Sequence, residues 1–169
     1  DPGRTAQSKE FAAFLFFIAL FAITCVQQSI IVLKHKARSQ KLLSAKTVAL
    51  PIVLVSVSLV TLAYGVTSAR VLFVVFSLLA LSTASKQISQ WSKPPAYPKQ
   101  WWIVHLENMF VACISTVTAF VVTALPRLSS SIPGDSFLMW IAPTMVLVPW
   151  MIWFRVRYEK KFSKRVKEN

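Results

Sequence analysis

Five long apolar runs separated by short basic segments organise this chain. Residues 11–33, 47–69, 108–126 and 136–154 carry no charged side chain over 23, 23, 19 and 19 positions, and residues 71–85 carry none over 15. About 20 residues rising 1.5 Å each cross a hydrocarbon core of roughly 30 Å, so the first four runs reach or nearly reach that length. The last is bounded by Arg70 and Lys86, whose side chains can extend outward and lengthen it. Stretches such as FAAFLFFIALFAI and VALPIVLVSVSLV have no polar face, which excludes the amphipathic helices of a soluble bundle. The pattern predicts an all-α integral membrane bundle of about five transmembrane helices, at about 11–33, 47–66, 69–86, 102–125 and 136–156. It forms a single membrane domain over residues 1–169, with a basic C-terminal tail at 157–169.

Composition agrees: 55% of the residues are hydrophobic and only 15% charged. The net charge of +13 would point to nucleic acid in a soluble protein, but its distribution points elsewhere. Lys and Arg number five in 34–46, three in 86–99 and seven in 155–169, against two before the first run and one each at Arg70 and Arg127. The basic set therefore falls on alternate connectors. By the positive-inside rule these face the cytoplasm or the equivalent organellar compartment, which puts the N-terminus outside and the C-terminus inside. The expected location is a bacterial cytoplasmic membrane, or a mitochondrial inner membrane in a eukaryote. Trp91, Tyr97, Trp101 and Trp102 cluster at one inner boundary and Trp150, Trp153 and Tyr158 at another, as interfacial aromatic anchors do. The expected partners are the lipid bilayer, including anionic lipids attracted by the basic inner segments, and other membrane protein subunits, with no nucleic acid.

The first apolar run is too long for a signal-peptide core. The chain opens on Asp1-Pro2 rather than methionine, as expected of a sequence processed, trimmed or incompletely known upstream. Pro51, Pro143 and Pro149 fall inside predicted helices, where each frees a carbonyl and favours a bend. QWSKPPAYPKQ (90–100) is expected to be stiff and extended, and PRLSSSIPGDS (126–136) a turn-rich connector. The three glycines form no GxxxG pair. Cys25 and Cys113 lie in different spans and are expected to pack as small apolar residues. CxxC, HExxH and Gly-rich phosphate-loop motifs are absent, and two histidines with six carboxylates leave little material for hydrolytic or phosphoryl-transfer chemistry. The chain is not expected to be an enzyme or to hold a metal.

One stretch concentrates polar side chains where a span begins: WWIVHLENMF (101–110). With Trp101 and Trp102 at the interface, His105 lies about 6 Å deeper and Glu107 about 9 Å, at the edge of the hydrocarbon. His105, Asn108, Ala112, Ser115, Thr116 and Ala119 share one helical face, while Glu107 points elsewhere with Val111, Ile114 and Thr118. The first span has a related stripe of Thr24, Gln28, Ile31 and His35, flanked by Gln27. In the topology above, His35 and His105 both lie at the inner side and could meet. The candidate cofactor-binding set is therefore His35, His105, Gln28 and Asn108, for haem or a quinone, with Glu107 as a proton carrier. The alternative use of the same residues is hydrogen bonding between helices.

The second half of the chain resembles an uncharacterised, mostly bacterial family of multi-pass membrane proteins. The resemblance rests on Trp91 with SKPP (92–95), on WWIVHLENM (101–109) and ACISTVTAFVV (112–122), and on WIAPT (140–144) and PWMIWFRVRY (149–158). The family's early His-Arg pair with a following glycine corresponds here to His35-Lys36, with no glycine nearby. The resemblance implies a helical membrane fold and brings no established activity. The expected function is that of a non-catalytic multi-pass membrane protein, an accessory or structural subunit of a larger membrane complex. The alternative is a small membrane redox or transport module with a haem, quinone or proton site near His35 and His105.

Overall fold

The computed structural model describes residues 2–97, 99–128 and 137–167. Among these it has five helices and no strand: α1 (Pro2–Lys34), α2 (Ala45–Thr67), α3 (Val71–Ser92), α4 (Gln100–Leu128) and α5 (Phe137–Lys167). All five are long and apolar enough to cross a membrane.

The helices overrun the apolar runs. α1 begins at Pro2, where the missing N–H costs nothing and the fixed φ suits a first turn. α3 continues past Lys86 to Ser92, because Lys86, Gln87 and Gln90 carry no signal to stop. It ends where Pro94 disfavours helix in the residue before it, and Lys93 is extended at φ −122° and ψ 151°. The stiff segment expected over 90–100 is thereby shortened to 93–99, with Pro98 outside the described residues. α5 runs unbroken through Pro143 and Pro149 to Lys167, so residues 157–167 of the basic C-terminal tail are helical. From residue 129 to 136 the turn-rich connector lies outside the described residues.

The helices gather into two compact units. The first takes α1 as far as Thr24 together with 37–96, and the second takes residues 25–36 with those from 97 onward.

In the first unit, α2 and α3 form a hairpin with a three-residue turn. The Arg70 N–H donates to the Gly65 carbonyl at 2.8 Å and the Ala69 N–H to the Val66 carbonyl at 3.3 Å. That pair of bonds is a Schellman cap, with Ala69 as its left-handed residue at φ 52°. Behind the turn a seam of small side chains closes the hairpin. Ser58 and Gly65 are buried on α2, and Ser77, Ala80 and Ala84 on α3, at heptad-like spacing. A methyl added at Gly65 would lie 2.9 Å from both Phe73 Cβ and the Val74 nitrogen, so this glycine sets how near the helices come. Where helices pack inside a bilayer, such close van der Waals contact, rather than escape from water, is the attractive force. Phe14 of α1 packs on this unit, 4.7 Å from the Phe73 ring and 5.4 Å edge-on from Phe76.

Both ends of the hairpin are tied by polar contacts. At the turn, the Glu10 carboxylate accepts from the Tyr64 hydroxyl at 2.8 Å and pairs with Arg70 at 2.9 Å. At the other end the connector residues 37–44 fold over the α3 C-terminus. Arg38 donates to the Gln90 carbonyl at 3.1 Å, the Leu42 N–H donates to the Trp91 carbonyl at 3.0 Å, and the Arg38 guanidinium lies 4.6 Å from the Trp91 ring centre. A cation placed on orphan carbonyls complements the helix dipole. The same connector starts α2, where Ser44 donates its N–H to Thr47 Oγ1 at 3.0 Å and Thr47 returns a bond to the Leu42 carbonyl at 3.1 Å.

Candidate functional site

In the second unit α4 and α5 run antiparallel. Trp102 meets Tyr158 with ring centres 4.3 Å apart, Glu107 meets Arg155 at 2.8 Å, and Phe110 faces Phe154 at 6.2 Å. Glu107 is the more enclosed partner, its side chain 12% exposed against 43% for Arg155. Arg155 also holds Glu159 one turn along, at 3.1 Å. The connector residue Tyr97 lies near these charges. Desolvation first, then the Glu159 and Glu107 carboxylates against the opposing pull of Arg155, raise its phenol above the ordinary value. Glu107 is thus the acid of a charge cluster that fastens α4 to α5.

His105 is half-buried two residues earlier on α4. Its neighbour is Ser29 on α1: the Ser29 hydroxyl donates to the His105 backbone carbonyl at 3.0 Å, and His105 Nδ1 lies a long 3.4 Å from the Ser29 carbonyl. Ser29 is fully buried, and so small a side chain lets the two helices approach closely enough to share these bonds. Gln28, the preceding residue, is buried at the same level. Asn108 is buried one turn along α4 and donates its amide to the Val104 carbonyl at 2.9 Å.

His35 is placed differently. It is exposed just past the end of α1, with Nδ1 2.9 Å from the Ile31 carbonyl of the last turn, and acts as a C-terminal cap. Six residues separate it from Ser29, about 9 Å along a helix axis. The structure therefore joins His105 to Ser29, buries Gln28 beside Ser29 on α1 and Asn108 one turn along α4, and gives His35 and Glu107 separate partners. Each imidazole lies against a backbone carbonyl, at a different level of α1. Among the described residues no three His, Cys, Asp or Glu side chains converge to hold a metal ion.

The polar stripe of α4 also turns out rotated. Val104, Asn108, Ala112, Ser115, Thr118 and Val122 are buried, whereas Thr116 is exposed. The expected face had Thr116 in and Thr118 beside Glu107. Because α5 binds the Glu107 side of α4, the covered arc extends that way. Ser29 and Arg155 are the contacts that sequence reasoning missed. Arg155 had a signal: the topology already put the first turns of α4 and the last turns of α5 at one level.

Compared with protein-family models, curated proteins and solved structures, the chain matches none. The resemblance over residues 91–158 rests on those residues alone.

Proposed function

We propose that this chain is a multi-pass integral membrane protein, with its N-terminus outside and its basic connectors and C-terminus inside. It works without catalysis, as an accessory subunit in a larger membrane assembly. The observation that carries this reading is how the scarce polar residues are used. Glu107 is tied to Arg155, His105 to Ser29, Asn108 to its own helix, and Glu10 to Arg70 and Tyr64. All but Asn108 tie one helix to another or to a turn, and the helices otherwise present apolar flanks. Side chains spent on holding helices together support a structural role, and apolar flanks with basic ends suit docking beside other subunits.

The test is the native mass after gentle extraction from the source membrane. A complex of several subunits is expected. A partner-free chain of 19.0 kDa would overturn the accessory role. The same chain carrying a small-molecule mass increment would shift the reading to a cofactor module built around His105.

A further inference from the structure

We propose that the inner half of α5 carries a binding site for one anionic phospholipid, with the headgroup phosphate at Arg157 and Lys160 and an acyl chain along Pro149, Ile152, Trp153 and Val156. These six side chains line an open groove of about 730 Å³. Positions 149, 152, 153, 156 and 160 recur at helical spacing and form one stripe on one face. From Pro149 to Lys160 the helix rises about 16 Å, half of a hydrocarbon core of roughly 30 Å. The stripe is thus apolar over about 10 Å, from Pro149 to Val156, and cationic beyond that at Arg157 and Lys160. An anionic phospholipid has that division of chemistry, an apolar chain below an anionic headgroup.

Glu107 and Glu159 both bind Arg155, at 2.8 and 3.1 Å, which leaves the charges at the end of the groove, Arg157 and Lys160, with no acidic partner among the described residues. Arg157 is also held in place, its guanidinium 5.0 Å from the Trp153 ring centre. Stacking fixes the plane of the guanidinium and leaves its N–H edge for a phosphate, which it can bind through two parallel bonds.

The inference rests on α5 spanning a membrane. The purified protein is to be placed in nanodiscs of equal parts phosphatidylglycerol and phosphatidylcholine, and the lipid it retains on release counted by native mass spectrometry. Phosphatidylglycerol is expected to be retained in preference, and the Arg157→Ala/Lys160→Ala double variant to lose about tenfold of that retention. Ile152→Trp, which fills the groove and keeps both charges, is expected to lose retention as well. Lys36→Ala/Lys41→Ala, two exposed cations on another connector, is expected to change nothing. Equal retention of the two lipids, or an equal loss in the Lys36/Lys41 variant, would overturn the site. Failure of the wild-type chain to enter nanodiscs would instead overturn its reading as a membrane protein.

Discussion

Gly65 and Ala69 stand four positions apart and ask opposite things of their side chains. Ala69 holds a left-handed conformation at φ 52°, which costs an L-residue roughly 1–2 kcal/mol and glycine almost nothing. Ala69→Gly is therefore expected to stabilise the hairpin by about 1 kcal/mol, read as a higher unfolding midpoint in mild detergent. Gly65→Ala should do the reverse. The added methyl would sit 2.9 Å from Phe73 Cβ and from the Val74 backbone, and backbone cannot step aside as a flexible side chain would. A loss of about 2 kcal/mol is expected in the same assay, and a neutral outcome would show that the seam is looser than these distances. Site residues were legible to a similar depth. The helical period put His105 and Asn108 on one face, and both are at least half-buried. It had no means of choosing Ser29 over His35 as the partner, because the choice depends on axial register between helices and on the small size of Ser29, not on the chemistry of either histidine.

Helices were easier to foresee than their ends or their seams. An absence of charge over 15 to 23 residues foretells a helix long and apolar enough to span a membrane, since few other arrangements tolerate it. Where a helix stops depends on local chemistry that hydropathy ignores, so α3 and α5 ran on through polar residues. The α2–α3 seam escaped notice because Ser58, Gly65, Ser77, Ala80 and Ala84 contribute little hydrophobic signal and contain no GxxxG pair. Two contacts between elements can be tested directly. Arg38→Ala removes both the bond to the Gln90 carbonyl and the stacking on Trp91, for an expected loss of about 1–2 kcal/mol in unfolding free energy. Arg38→Lys keeps the charge without the flat stacking surface, and should recover less than half of it. For α4 and α5, a double-mutant cycle of Glu107→Gln and Arg155→Gln is expected to give a coupling of about 1 kcal/mol. The half-exposed Arg155 and its second partner Glu159 keep that value modest. A coupling of zero would mean that the pair merely coexists.

For the whole molecule, the proposed orientation makes a simple claim about which connectors meet which side. In a chain with Cys25 and Cys113 replaced by serine, a cysteine at exposed Ser68 should react with a membrane-impermeant thiol reagent on intact cells. One at exposed Gln40 should react only after the membrane is opened. The reversed pattern would invert the topology and leave every helix where it is. The tight α2–α3 hairpin has a consequence on a longer clock. Its outward flanks, such as Val60, Leu59, Leu78 and Leu79, are exposed and can trade one apolar residue for another at little cost. Its seam can do no such thing, since any enlargement at Gly65 strikes backbone. Over generations of inheritance, then, the greasy outer positions should wander freely, while positions 58, 65, 77, 80 and 84 stay small. Descendants of this chain would be recognised by the places where they have refused to grow.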